Sequence, residues 1–135
     1  MITIAKYFMG RDKLYPRDLT EEIQGNAALT VLRVNNLLTA YKSATGRDVT
    51  IVNSGWRPPA VNANTANAAK KSDHMIGRAV DLGDDAEYLD TWLMTVEGQS
   101  AMSDAGVWHE HPSATPRWAH LQTVAPRSGK RTFMP

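Results

Sequence analysis

Residues 20 to 46 have the apolar spacing of one long amphipathic helix. Thr20 precedes two glutamates, and a capping threonine followed by acidic residues is a typical helix start. Gly46 is well placed to end the helix, because glycine readily adopts the left-handed conformation that follows a last turn. No polar side chain converges on the apolar stripe, so we predict that it packs in the core and does not line a cofactor groove. The stripe consists of Ile23, Ala27, Val31, Val34, Leu37, Leu38 and Tyr41.

The composition is typical of one compact domain. With 135 residues, of which 42% are hydrophobic, the chain can bury a substantial core. We expect a single domain over residues 1–135 and a monomer. Fifteen lysines and arginines against 14 aspartates and glutamates give a formal net charge of +1, without the basic excess of a nucleic-acid-binding protein. We therefore predict no nucleic-acid partner.

The N-terminal residues do not have the pattern of a targeting segment. Lys6, Arg11 and Asp12 interrupt the apolar residues, and no small-residue cleavage site follows. No apolar run is long enough to cross a membrane. We expect no signal peptide and no membrane partner, and therefore synthesis in a cytoplasm.

Two short stretches are typical of strands. Residues 48–53 are rich in β-branched side chains and lead to Arg57, which we place at a strand end. The charged fork of Arg57 suits a bound carboxylate or oxyanion, and it equally suits a surface salt bridge. Gly77 permits a turn into a second strand over residues 78–82, where Asp81 faces away from the aliphatic side chains. An amphipathic helix is predicted over residues 86–96.

His74 and Asp81 lie seven positions apart across Gly77. A carboxylate inside an apolar strand is costly to bury unless it is paired or bound to a metal. A turn histidine followed by a strand aspartate also occurs in proteins that bind no metal. Because the chain has no cysteine, a zinc site would have to use aspartate, glutamate or the four histidines.

The other three histidines lie between residues 106 and 122. Alternation over residues 118–122 predicts a strand that presents His120 and Gln122 on one face, beside the strand with Asp81. The segment His109-Glu110-His111 lacks the helical His-Glu-x-x-His spacing and is followed by Pro112, so we predict a loop there.

Three motifs taken in order resemble the D-alanyl-D-alanine carboxypeptidase (VanY-like) family of zinc peptidases. They are Ser54-Gly55-Trp56-Arg57, Ser72-x-His74-x-x-Gly77-x-Ala79-x-Asp81 and Trp118-x-His120. The family includes phage endolysins that cut stem peptides of peptidoglycan, and it shares its fold with the hedgehog signalling domain. The resemblance implies an α+β fold with a small antiparallel sheet that carries a zinc site and is flanked by helices.

The resemblance also implies roles for individual residues. His74, Asp81 and His120 would be the Zn²⁺ ligands, and Arg57 would bind the substrate. Relatives often carry the catalytic carboxylate three residues before the last histidine, where this sequence has Arg117. The candidates for the general base, in order of preference, are Glu110, His111 and His109. Glu110 comes first because no other acidic residue lies between Asp104 and the C-terminus.

The function implied is zinc-dependent hydrolysis of peptide bonds in peptidoglycan stem peptides. The enzyme would be either a D-Ala-D-Ala carboxypeptidase or an L-Ala-D-Glu endopeptidase, and the type decides which peptide bond is cleaved. A phage or prophage endolysin of this kind would be made in the bacterial host and act on the cell wall after release or as a virion component. The alternative is a zinc-retaining, non-catalytic binding module or virion structural protein on the same fold, which Arg117 supports. The basic residues Arg127, Lys130 and Arg131 are interpreted first as a solvated tail and second as a group that attracts the carboxylates of peptidoglycan stems.

Overall fold

A five-stranded sheet and six α-helices form an α+β fold in the computed structural model, which describes residues 1–135. The helices are α1 (Ile4–Phe8), α2 (Arg11–Leu14), α3 (Glu21–Thr45), α4 (Pro59–Ala63), α5 (Tyr88–Leu93) and α6 (Val96–Ala105). The strands are β1 (Val52–Ser54), β2 (Ala79–Gly83), β3 (Trp108–Glu110), β4 (Trp118–Gln122) and β5 (Thr132–Phe133). Two short 3-10 helices cover Asp73–Ile76 and Pro112–Ala114. None of the helices has both the length and the apolar character needed to cross a membrane.

The sheet has the strand order β1-β2-β4-β3-β5. Strands β1, β2, β4 and β3 pair antiparallel, whereas β5 pairs parallel to β3. The prediction of an antiparallel sheet is therefore correct for four strands and wrong for the fifth. The loop predicted around residues 109–111 is also wrong for its first two residues, because residues 108–110 form a strand between β4 and β5, and Pro112 lies just beyond it.

Helix α3 has the predicted limits and the predicted role. The Thr20 hydroxyl accepts a hydrogen bond from the backbone amide of Ile23 at 3.2 Å, and Gly46 ends the helix with a φ of 74°. The apolar stripe packs in one cluster with the inner face of the central strands β2 and β4. The buried residues from the two layers are Ala27, Val34, Leu37, Leu38 and Tyr41 from the helix and Val80, Leu82, Ala119 and Leu121 from the sheet.

The single helix predicted over residues 86–96 is wrong. Helix α5 ends at Leu93, and a new helix starts after Thr95, whose hydroxyl accepts a hydrogen bond from the backbone amide of Gly98 at 3.0 Å. Val96 is 90% exposed because it begins the second helix and does not continue the apolar face of the first. The strand predicted over residues 48–53 forms only in its last part, as β1.

The C-terminal segment is attached to the sheet. The guanidinium of Arg131 lies 4.4 Å from the ring centroid of Trp108 and donates a hydrogen bond to the carbonyl of Val107 at 2.8 Å. The backbone carbonyls of Arg131 and Phe133 accept hydrogen bonds from His109 and His111. The interpretation of Arg131 as part of a solvated tail is therefore wrong, since β5 forms the edge of the sheet.

Gly55 lies where α1 meets the end of β1. A Cβ at this position would overlap the backbone carbonyl of Tyr7. We expect Gly55→Ala to lower the free energy of unfolding by about 2–4 kcal/mol, because the backbone of α1 must move to make room. Denaturant unfolding of the metal-free protein measures the effect.

Gly25 provides the matched control for this substitution. It lies within α3 with no neighbouring atom near the position of an added Cβ. Gly25→Ala should leave stability unchanged or raise it by about 0.5–1 kcal/mol, because alanine favours the helix. Equal stability of the two variants would contradict the close packing at Gly55.

Candidate metal centre

Three side chains from different elements meet at the outer face of the sheet. Asp81 on β2 and His120 on β4 are direct cross-strand partners. His74 comes from the 3-10 helix that precedes β2. One ligand atom from each of the three residues lies within 4.8 Å of the other two, so the group can hold a metal ion. The structure thus brings together the three ligands that the resemblance implies.

The local sequence around His74 fixes its position. The Ser72 hydroxyl caps the 3-10 helix by accepting a hydrogen bond from the His74 backbone amide at 3.2 Å. Gly77 ends this helix with a φ of 77°, and a Cβ there would lie 2.9 Å from the carbonyl of Ile23 on α3. Only glycine satisfies both conditions without strain. The spacing between Ser72 and Gly77 therefore sets how His74 approaches β2.

Each histidine has one ring nitrogen held by a neighbouring oxygen. His74 Nδ1 lies 2.8 Å from the carbonyl of Gly55 and must donate to it. His120 Nε2 lies 3.0 Å from Gln122 Oε1, and the Gln122 amide nitrogen donates to the carbonyl of Val124 at 2.7 Å. That bond sets the orientation of the amide, so His120 Nε2 is a donor. Metal-binding histidines are typically held in this way by their second nitrogen.

The other two ring nitrogens both face Asp81. His120 Nδ1 lies 2.8 Å and His74 Nε2 lies 3.3 Å from Asp81 Oδ1. His74 Nε2 is buried and has no partner with hydrogen-bond geometry. Because this buried ring nitrogen makes no hydrogen bond, its lone pair is available to a metal ion. A metal ion bound by His74 Nε2, Asp81 Oδ1 and His120 Nδ1 fits this arrangement.

Arg57 supports the aspartate from the opposite side. Its Nη2 lies 3.1 Å from Asp81 Oδ2, and its Nε donates to the Ser54 hydroxyl at 3.0 Å. Arg57 is buried, so the surface salt bridge considered from the sequence is in fact a buried ion pair. Arg57 Nη1 makes no hydrogen bond, and the residue lines the cleft in front of the three ligands.

The site shifts the pKa values of its ligands in different directions. Burial would raise the pKa of Asp81, but the hydrogen bond from His120 and the close approach of the His74 ring outweigh it and hold that pKa well below its usual range. Burial lowers the pKa of His74. Burial would also lower the pKa of His120, but the hydrogen bond to Asp81 outweighs it and raises that pKa. In the metal-free site, a proton on His120 is therefore favoured, and a metal must displace it.

Glu110 lies beside the ligands in the next strand. The register of β3 on β4 pairs Trp108 with Gln122 and His109 with Leu121, which brings Glu110 next to His120. Asp81, His120 and Glu110 thus form one row across three neighbouring strands. Glu110 also lines the cleft of about 470 Å³ that contains the three ligands.

The other two candidate bases are held elsewhere. His111 makes a hydrogen bond through Nδ1 with the Ser113 hydroxyl at 2.8 Å and is absent from the cleft lining. His109 is fully buried on the core face of β3, where its Nε2 lies 2.7 Å from Asp90 Oδ1. Of the three candidates, Glu110 alone reaches the cleft.

Sequence reasoning gave no role to Gln122 or to the carbonyl of Gly55. The period-two spacing of His120 and Gln122 was a usable signal, since it places both side chains on one face of β4. The carbonyl of Gly55 carried no signal in the sequence, because a backbone acceptor does not depend on residue type.

No protein-family model, curated protein or solved structure matches this chain. Its fold and site define an α+β protein with a His-Asp-His group that can hold a metal ion. Two imidazole nitrogens and one carboxylate oxygen are donors that suit several transition metals, Zn²⁺ among them.

The hydrogen bond from His120 to Gln122 can be tested through metal affinity. We expect Gln122→Leu to weaken Zn²⁺ binding by about 10- to 100-fold, because His120 loses the acceptor that orients its ring. Competition with a chromogenic chelator measures the affinity. Gln24→Leu, an exposed change on α3, should leave the affinity unchanged. Equal affinities in the two variants would contradict the orienting role.

Proposed function

We propose that the protein is a zinc-dependent peptidase that hydrolyses peptide bonds in peptidoglycan stem peptides, as a phage or prophage endolysin does. The observation that carries this proposal is that Glu110 lines the same cleft as His74, Asp81 and His120. A carboxylate next to three metal ligands is the arrangement that metal-assisted hydrolysis needs. The resemblance of the three sequence motifs to VanY-like peptidases supports the choice of substrate.

His74, Asp81 and His120 would hold the zinc, and three protein ligands are the number typical of catalytic rather than structural zinc sites. Zinc bound by these three ligands would polarise the scissile carbonyl and lower the pKa of a water molecule to about 7. Glu110 would accept a proton from the attacking water and pass it to the leaving nitrogen. Arg57 Nη1, which has no acceptor of its own, would donate to the carbonyl oxygen as negative charge develops.

The cleft suits a peptide. Its volume of about 470 Å³ falls in the range of small-ligand sites. Its lining includes most residues of the segment 65–73, together with Glu110, Ala114, Thr115, Trp118, Phe133 and Pro135. Polar and apolar groups thus both face the cleft, and the three candidate metal ligands belong to the same lining.

Arg117 favours the second candidate function, a zinc-retaining binding module or virion structural protein. Its side chain is 71% exposed, lies 3.6 Å from Asp85 and does not line the cleft. The position at which relatives carry a catalytic carboxylate therefore contributes nothing to the site. Under the peptidase proposal, Glu110 on the neighbouring strand takes that role.

Hydrolysis of purified peptidoglycan separates the two functions. Zinc-loaded protein should release new amino groups, and chelation followed by zinc addition should abolish and then restore the release. Mass spectrometry of the muropeptides identifies the bond. Protein that holds zinc and binds peptidoglycan but leaves its peptides intact is the result expected of the binding module. Full activity in protein without a metal would contradict both functions.

A further inference from the structure

Two basic side chains in different situations line the cleft. Arg57 and Lys71 both line it, together with the carboxylates of Asp73, Asp81 and Glu110. Arg57 is paired with Asp81 at 3.1 Å, and its side chain is only 10% exposed. The charge of Arg57 is thus largely offset by a carboxylate of the protein itself. Arg57 is placed to act at the metal centre, and its charge is poorly available to a carboxylate further along the cleft.

Lys71 is exposed and unpaired. Its side chain forms no salt bridge and no hydrogen bond. Lys42 and Lys6, by contrast, contact a carboxylate and a backbone carbonyl. It lies three residues before His74 and lines the cleft. A lysine ammonium on a flexible stem can reach a carboxylate without breaking an existing contact. The neighbouring Lys70 is also exposed but does not line the cleft.

We propose that Lys71 binds a carboxylate of the peptide substrate and makes the protein selective for peptides with a free carboxylate near the scissile bond. This inference rests on the proposed peptidase function. Asp73 and Glu110 would repel an anionic peptide, and Lys71 is the cationic side chain of the cleft that is not paired with a carboxylate of the protein and lies outside the metal ligands, so it can counter that repulsion. A carboxamide in place of the carboxylate removes the charge and retains the shape.

The test uses the full zinc-loaded chain and a synthetic stem pentapeptide in three forms. One form has free carboxylates, one has a carboxamide at the D-glutamate, and one has a carboxamide at the C-terminus. We expect wild type to cleave one of the amidated forms with about tenfold lower kcat/KM than the free form. Lys71→Gln should lose this discrimination, Lys71→Arg should retain it, and Lys70→Gln should behave as wild type.

A binding measurement makes the inference independent of turnover. The same three peptides are titrated calorimetrically into zinc-loaded Glu110→Gln, with and without Lys71→Gln. Loss of the preference for the free carboxylate only when Lys71 is changed supports the inference, even if wild type hydrolyses none of the peptides and the peptidase proposal fails. Retained preference in the Lys71→Gln protein, or equal binding of all three peptides before that change, would overturn it.

Discussion

Glu110→Gln is expected to retain zinc and to lose about 10²- to 10⁴-fold in kcat for peptide hydrolysis, the usual contribution of a positioned general base. The amide preserves the size of the side chain but cannot accept a proton. The metal should remain because His74, Asp81 and His120 are unchanged and their second contacts do not involve Glu110. Zinc content and the rate of release of new amino groups measure the two effects separately.

His111→Gln is the control that distinguishes the candidate bases. His111 is held by Ser113 outside the cleft, so this variant should keep its activity. If His111→Gln were inactive and Glu110→Gln active, the two assignments would have to be exchanged. If Glu110→Gln lost its zinc as well, its inactivity would say nothing about proton transfer, and the position of Glu110 outside the metal ligands would be contradicted.

The sides of β2 and β4 on which Asp81 and His120 lie were predictable from short-range patterns, whereas the choice of the three ligands came from the family resemblance. Alternation alone places Asp81 away from Val80 and Leu82, and it places His120 away from Ala119 and Leu121. The turn at Gly77 is similarly local, since a positive φ and a close approach to α3 both require glycine. What the residues could not show was the register, which made Asp81 and His120 direct neighbours.

The position of Glu110 could not be predicted either, because it too depends on how distant strands pair. Its strand β3 has only three residues and is defined by pairing with β4 and with β5, which lies more than 20 residues further along the chain. Local propensity suggested a loop, because Pro112 follows closely. Pairing with β4 and β5 outweighed that propensity and placed the carboxylate of Glu110 beside His120. The family resemblance would instead place a carboxylate at position 117, where this chain has Arg117.

The break between α5 and α6 shows a limit of periodicity. Leu89, Trp92 and Leu93 are buried as an amphipathic helix predicts, but the chain turns at Thr95 and packs α6 back on α5. Gly98 makes this possible, since a Cβ there would overlap the carbonyl of Trp92. A capping threonine followed by an acidic residue was a usable signal for the new helix start.

Asp81→Asn is expected to have the second large effect, on both metal binding and stability. Asparagine has no anionic oxygen for the metal, so zinc content should fall well below one ion per chain under competition by a chelator. The change also leaves the buried Arg57 without its counter-charge. In the metal-free protein at pH 7, the free energy of unfolding should fall by about 2–3 kcal/mol. This loss is smaller than that expected for a fully buried ion pair, because the side chains of Arg57 and Asp81 both keep some exposure.

The stability loss in Asp81→Asn should depend on pH in a defined direction. The pKa of Asp81 is lower in the folded chain than its ordinary value of about 4. The ionised carboxylate therefore stabilises the folded state above about pH 4, and this stabilisation is lost as the pH falls towards the folded-state pKa. The difference between wild type and Asp81→Asn should be largest near neutral pH and shrink in acid.

Denaturant unfolding in a chelator at pH 7 and near pH 3 measures this difference, and Asp85→Asn provides the control. Asp85 is 85% exposed and pairs only with the exposed Arg117, so its substitution should change stability by less than about 0.5 kcal/mol at either pH. An Asp81→Asn protein as stable as wild type would contradict the ion pair with Arg57. Retention of one zinc per chain would remove Asp81 from the ligands, since the two histidines alone would then have to account for the affinity.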